Sequence, residues 1–119
     1  MSLIEDSALR NVTGITDEDR RDVSYFLQGA IYCWCKNRPD EWFALRDLMG
    51  GDNTYWKGSP LMSVYKKHSA LTDEQAFKAA AKDAGWLLKQ AIVHDRRAFD
   101  TTKSGLVRKY KWRRSETST

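Results

Sequence analysis

The spacing of hydrophobic residues predicts a first amphipathic helix. From Val23 to Trp34, apolar side chains recur at intervals of three and four residues, which places them on one face of a helix. Just before this stripe, Thr16 to Asp19 resemble a capping box, and their acidic residues complement the helix dipole. The pattern therefore predicts a helix from Asp17 to Lys36.

A second helix is predicted after Pro39, which cannot continue the first helix smoothly. Asp40-Glu41 supplies an acidic first turn, and the apolar residues Trp42, Phe43, Leu45, Leu48 and Met49 follow. Gly50-Gly51 ends the segment because glycine adopts the left-handed conformation of a helix C-terminus.

Two more helices follow the loop at residues 50 to 58. Ser59-Pro60 is typical of an N-cap followed by proline at the first helical position, which predicts a short third helix from Leu61 to His68. A second capping-box pattern at Thr72 precedes a fourth helix from Asp73 to Val93. Gly85 lies inside this helix, where glycine is unfavourable, which indicates either a close helix crossing or simple tolerance, and we favour the crossing.

The pattern changes after Asp95. Residues 96 to 114 have no helical stripe, are rich in strand-forming residues, and are interrupted by Lys103-Ser104-Gly105. This predicts a β-hairpin with its tip near Gly105. Alternation along its second strand places Arg108, Tyr110 and Trp112 on one face and Val107, Lys109, Lys111 and Arg113 on the other.

Together these elements predict a mainly α, compact four-helix domain with a C-terminal β-hairpin. The 119 residues fit a single domain, which we place at residues 16–114, between a flexible segment at 1–15 and a disordered tail at 115–119. One further short strand would complete a three-stranded sheet. The expected core consists of Phe26, Leu27, Ile31, Trp34, Leu45, Leu48, Leu61, Val64, Phe77, Ala80, Ala84, Leu87 and Leu88.

The distribution of charge points to a polyanionic partner. Residues 89 to 114 carry nine basic and two acidic residues, a net charge of +7, whereas residues 1 to 88 carry −2. Such a basic pole favours nucleic acid first and an acidic protein surface second. The plain alternative is a solvated basic tail.

Other classes of function find little support in the sequence. No apolar stretch is long enough to cross a membrane, and Glu5 and Asp6 interrupt what a secretory signal would need, so we expect a cytoplasmic protein. Cys33 and Cys35 diverge on a helix and are expected to be packing residues, with no metal site and no cofactor. Motifs for phosphate-loop, nucleophilic or zinc-dependent catalysis are absent from the sequence, and we expect no enzyme activity.

The order of elements resembles that of a winged helix-turn-helix domain. In this resemblance, which covers residues 16 to 114, the third and fourth helices form the helix-turn-helix and Arg97 to Arg113 form the wing. The chain is also similar to small bacterial proteins carried by phages and mobile elements. The resemblance implies a small accessory or regulatory protein that binds DNA.

The candidate contacts are cations on the hairpin and on the fourth helix. A cationic hairpin contacts the phosphate backbone without demanding a particular sequence. Asp73 and Glu74 at the start of the fourth helix would face the negative groove, which favours weak, backbone-dominated binding over base readout. The candidate nucleic-acid-binding residues are Lys78, Lys82, Lys103, Arg108, Lys109, Lys111 and Arg113.

The alternative function is protein interaction. Tyr55 and Trp56 lie in a loop rich in turn formers, and exposed aromatic residues are enriched at interfaces. Such a surface would serve a homodimer or a phage-encoded inhibitor of a host protein. The competing structural interpretation is that these rings fold back over the junction of the second and third helices.

Overall fold

Two long helices and a C-terminal hairpin dominate the structure, a computed structural model that describes residues 11–50, 56–105 and 107–114. The elements are α1 (Asp17–Asn37), α2 (Leu45–Leu48), α3 (Met62–Lys66), α4 (Asp73–His94), β1 (Phe99–Ser104) and β2 (Val107–Trp112). The predicted fold class, a mainly α domain with a C-terminal β-hairpin, is confirmed. Among the helices described, none is sufficiently long and apolar to cross a membrane.

The side chains predicted to cap the long helices do so. The Thr16 hydroxyl accepts a hydrogen bond from the Asp19 amide at 3.0 Å, and the Asp19 carboxylate accepts one from the Thr16 amide at 3.4 Å. In α4, the Thr72 hydroxyl accepts from the Gln75 amide at 3.3 Å. These bonds satisfy amides that have no partner within a helix, which explains why both helices begin where the sequence predicts.

The predicted start of the second helix at Asp40-Glu41 is wrong. Phe43 is extended instead and exchanges two backbone hydrogen bonds with Tyr110 of β2, each 2.8 Å long. Its ring is fully buried. Burial and strand pairing at Phe43 outweigh the local helix signals, so α2 begins after Ala44, whose amide donates to the Asp47 carboxylate at 2.7 Å.

The third helix is also shorter than predicted. Ser59 does not cap it, because its hydroxyl donates to the Trp56 carbonyl at 2.9 Å, and Pro60 lies in a turn before the first helical residue. The helix starts at Met62 and ends at Lys66, after which turns lead to α4.

One hydrophobic core joins α1, α3, α4 and the hairpin. Alanines on the buried face of α4 lie against larger side chains such as Leu27 and Ile31 of α1, and Phe99 and Tyr110 contribute from the hairpin. Val12 is 2% exposed, so the packed chain includes residues before α1. The outer parts of the expected flexible ends, residues 1–10 and 115–119, lie outside the described residues.

Two expectations about α4 are wrong. Phe77, expected in the core, is 46% exposed, and Ala76 takes the buried position beside it. At Gly85, apart from its two chain neighbours and the nearby backbone of α4 itself, no described atom lies within 4 Å of the position that a Cβ would occupy, so no close helix crossing requires the glycine. Most of the expected core is otherwise buried, and the partly buried residues packed against it include Phe26, Trp34, Leu45 and Leu48.

Candidate nucleic-acid interface

The register of the hairpin sorts its cations onto two faces. Residues that pair directly across an antiparallel ladder project to the same side. Phe99 pairs with Trp112, Thr101 with Tyr110 and Lys103 with Arg108, and these six residues form the core-side face. The outer face is formed by Asp100, Thr102, Ser104, Val107, Lys109 and Lys111.

Along the core-side face, the side chains become more exposed toward the tip of the hairpin. Phe99 and Tyr110 are each 2% exposed, whereas Lys103 and Arg108 are exposed. Gly105 follows with φ of 61°, a left-handed conformation that suits glycine at the predicted tip. The buried residues of this face therefore anchor the hairpin, and its residues near the tip present two opposed cations to solvent.

Tyr110 fixes the hairpin to the helical part of the domain. Its backbone pairs with Phe43, and the centroids of the two rings lie 6.0 Å apart. Burial raises the pKa of the Tyr110 hydroxyl to about 12, although the charge of Arg108 acts in the opposite direction. Its burial and its pairing with Phe43 therefore anchor the hairpin to the rest of the domain.

The acidic residues near the hairpin are bound by arginines. Arg97 donates to both carboxylate oxygens of Asp95, at 3.0 and 3.1 Å. Arg113 donates from Nε to Asp100 at 2.7 Å, with a second bond from Nη2 to the same oxygen. Arg113, a predicted DNA contact, is thus engaged in a partly buried ion pair on the outer face.

The outer-face lysines are less exposed than the cations at the tip. Lys109 and Lys111 are both partly buried, and Lys111 Nζ lies 5.0 Å from the centroid of the Trp42 ring. A cation over an indole face gains electrostatic stabilisation. Lys111 therefore has a structural contact that a phosphate ligand would have to replace.

Trp112 is flanked by cations. The guanidinium groups of Arg97 and Arg114 each lie 5.7 Å from the centroid of its ring, and Arg97 also lies 5.5 Å from the Tyr32 ring of α1. This arrangement connects the base of the hairpin to α1. Trp112 accordingly supports the hairpin rather than offering both faces to a nucleobase.

Lysines recur along one face of α4. Lys78 forms an exposed ion pair with Glu74, with Nζ and Oε1 3.2 Å apart, and Lys82 is exposed. The candidate list omitted Lys89, which lies two turns beyond Lys82 on the same face and 5.0 Å from the Trp86 ring. Burial and, second, the charge of Arg108 lower the pKa of Lys89. The seven-residue spacing from Lys82 is the sequence signal that could have identified Lys89.

A three-residue polar cluster fixes the turn between α3 and α4. Asp83 of α4 accepts from Lys67 Nζ at 2.7 Å and contacts His68 Nε2 at 2.8 Å through the same oxygen. Lys67 also donates to the Thr13 carbonyl. Burial raises the pKa of Asp83, but the hydrogen bonds and charges of Lys67 and His68 outweigh it, so that the pKa is lowered overall.

The structure describes one of the two candidate protein-binding aromatic residues. Tyr55 lies outside the described residues. Trp56 is partly buried, with its ring centroid 5.8 Å from that of Tyr65 and 6.1 Å from that of Phe77. This cluster covers the start of α4 and leaves nearly half of Phe77 exposed.

The cysteines differ in environment. Cys35 is a buried packing residue, and burial raises the pKa of its thiol to about 11. Cys33 is exposed, so the expectation that both cysteines are packing residues is wrong for this one. Within the part of the chain that the structure describes, no three or more His, Cys, Asp or Glu side chains are grouped to hold a metal.

Comparison with protein-family models, curated proteins and solved structures finds no match to this chain.

Proposed function

We propose that the chain is a small accessory or regulatory protein that binds DNA through its basic C-terminal hairpin. The observation that carries this proposal is the exposed tip of the hairpin, where Lys103 and Arg108 pair across the ladder. Among the described residues, no carboxylate forms a salt bridge with either of them. Exposed cations on an element that is anchored to the core can contact phosphates.

The proposed relationship to winged helix-turn-helix domains rests on topology. Within the described part of the chain, the sheet has two strands rather than the three anticipated, and Phe43, between α1 and α2, contributes a single isolated bridge to β2. The helix pair α3 and α4 precedes the hairpin, with its turn held by Asp83. In this proposal the hairpin acts as the wing.

Binding of this kind draws its free energy mainly from the release of counterions by phosphates. Asp73 and Glu74 begin α4, and their negative charge opposes the insertion of that turn into a groove. We therefore propose weak contacts to the DNA backbone with little preference for sequence.

The test measures binding to short duplexes of unrelated sequence, and to the corresponding single strands, over a series of salt concentrations. One variant replaces the cations of both hairpin faces with glutamine, and a control replaces an equal number of exposed cations elsewhere. We expect the hairpin variant to lose most binding and the control to retain it. The hairpin set is Lys103, Arg108, Lys109 and Lys111, and the control set is Arg21, Lys36, Lys57 and Lys66.

A wild-type chain whose binding does not weaken as salt rises would refute the proposal, because phosphate-driven association depends steeply on salt. Equal losses in the two variants would also contradict it, since net charge and not the hairpin would then determine binding.

A second candidate function is self-association through the aromatic cluster at the start of α4. Phe77 exposes an apolar ring beside Trp56, in a position where the helix pattern predicted burial. Analytical ultracentrifugation of the wild type and of Phe77→Ser tests this candidate. A dimer that dissociates in the variant supports it, and a wild-type chain that stays monomeric at high concentration excludes it.

A further inference from the structure

The segment before α1, residues 11–15, belongs to no helix or strand but is attached to the rest of the domain. The Val12 side chain is 2% exposed and is part of the hydrophobic core. The Val12 carbonyl accepts a hydrogen bond from Arg20 Nη2 of α1, and the Thr13 carbonyl accepts one from Lys67 Nζ, just after α3. We call residues 11–15 the N-terminal strap.

Lys67 connects the strap to α4. Its Nζ lies 2.7 Å from Asp83 Oδ2, and the same oxygen lies 2.8 Å from His68 Nε2. The three side chains are 16–21% exposed, so solvent screens their interactions less than those of a surface ion pair. An ammonium group that is bound to a carboxylate is restricted in its orientation. The charge of Asp83 therefore directs Lys67 toward the Thr13 carbonyl.

Gly14 allows Lys67 to lie close to the strap. The φ of Gly14 is 82°, in the left-handed region that favours glycine. A Cβ on this residue would lie 3.3 Å from Lys67 Cδ, which is closer than an ordinary contact. The turn in the strap and the position of Lys67 thus depend on the same glycine.

We propose that the N-terminal strap opens and closes as a unit while the domain stays folded, and that Lys67, positioned by Asp83, holds the strap closed. Of the strap residues, Val12 alone is buried, and Ile15 packs in part against the core. Segments with few buried apolar contacts open at a lower free energy than the core does. Loss of the Lys67 hydrogen bond therefore releases the strap and leaves α1 and α4 packed.

Opening of the strap changes two regions of the surface. It uncovers the place of Val12 in the core, and it separates the Val12 carbonyl from Arg20. Arg20 also lines a cleft of about 390 Å³ between α1 and α4, together with the buried residues Val23, Leu87 and Ala91. The state of the strap therefore decides whether the Val12 carbonyl holds the Arg20 guanidinium beside this cleft.

The test measures strap opening by the labelling of a buried thiol. In a parent variant, Val12→Cys places a thiol in the core and Cys33→Ser removes the exposed natural thiol. Labelling of the introduced thiol with a maleimide at neutral pH requires opening of the strap, whereas labelling of the buried Cys35 requires opening of the core. Peptide mass spectrometry follows both sites in one sample. We expect the introduced thiol to react at least about tenfold faster than Cys35.

Substitutions in the polar cluster are then added to this parent. Lys67→Met keeps an unbranched side chain but removes the hydrogen bond to Thr13, and should increase labelling of the introduced thiol about tenfold. Asp83→Asn should increase it by less, because Lys67 keeps that bond. The double variant should label like Lys67→Met alone, since Asp83 acts through Lys67. The ratio of the two labelling rates is the readout, because a loss of global stability would raise labelling of Cys35 as well.

Two further variants test the specificity of the effect. Lys78→Met is the matched control, because Lys78 forms an exposed ion pair with Glu74 on α4, and it should leave both rates unchanged. Gly14→Ala alters the strap alone, and the strain of a side chain at this positive φ should increase labelling of the introduced thiol about tenfold.

Three results would overturn the proposal. Equal rates at the introduced thiol and Cys35 in the parent would mean that the strap opens only when the whole domain unfolds. A Lys67→Met variant that labels like the parent would show that Lys67 does not hold the strap. A double variant that labels faster than Lys67→Met alone would show that Asp83 does not act through Lys67.

Discussion

Gly85 offers a direct test of the packing around α4. Glycine in the middle of a helix destabilises it by about 0.5–1 kcal/mol relative to alanine, because glycine loses more backbone freedom on folding. Its φ is not in the positive range, and the place of a Cβ has no described neighbour within 4 Å. We therefore expect Gly85→Ala to stabilise the protein by nearly the full difference, about 0.5–1 kcal/mol.

The measurement is equilibrium unfolding in urea, followed by tryptophan fluorescence and by circular dichroism. The midpoint should rise while the slope m stays constant, because the substitution exposes no new surface on unfolding. A gain near 1 kcal/mol corresponds to an increase in Tm of about 4 °C for a domain of this size.

Two other glycines provide matched controls for the same added methyl group. Gly29 lies in α1 with equally open surroundings, so Gly29→Ala should produce a similar gain. Gly105 has φ of 61° at the hairpin tip, so Gly105→Ala should instead destabilise the protein by about 1 kcal/mol. A loss of stability in Gly85→Ala would refute the reasoning, since it would mean that the helix face at this position is in close contact.

Three further predictions address the core, the thiols and the polar cluster. Phe43→Ala should cost about 3–5 kcal/mol in urea unfolding, because the ring is fully buried against other aromatic rings; a cost below about 1 kcal/mol would contradict that packing. With a thiol reagent at neutral pH, the native protein should react quickly at Cys33 and at Cys35 only after unfolding; two fast thiols would contradict the burial of Cys35. The lowered pKa of Asp83 means that its ionised form stabilises the fold above the usual carboxyl pKa and loses that effect as pH falls through the lowered value. The unfolding free energy of Asp83→Asn, measured at a series of acidic pH values, should therefore fall less steeply than that of the wild type, and parallel curves would contradict this.

The long elements were predictable from sequence because their signals are local. Capping residues such as Thr16 and Thr72 mark where α1 and α4 begin, and alternation marks the hairpin. The strand-like rung at Phe43 was missed because its partner, Tyr110, lies far along the chain and a single pair leaves no periodic pattern. Local acidic residues there suggested a helix that long-range pairing overrides.

The error at Phe77 has a different origin. The buried face of α4 is formed largely by alanines, whose small side chains give a weak hydrophobic pattern, so one large aromatic residue shifted the predicted face by one position. At the candidate interface, the sequence identified the basic hairpin. The contact of Lys111 with the Trp42 ring depends on how the hairpin lies against the rest of the chain, which no local pattern encodes.

The single rung between Phe43 and Tyr110 divides the hairpin into two regions of different dynamics. At this rung β2 has neighbours on both edges, so the Tyr110 amide is held within the sheet and its ring within the core. Toward the tip, Val107 and Arg108 are exposed and have the partner strand on one side among the described residues. Amide hydrogen exchange at Tyr110 should thus require opening of the whole domain, whereas amides nearer the tip exchange through local fraying. The tip can therefore change its conformation when a ligand binds, while Tyr110 stays in place and the core remains packed.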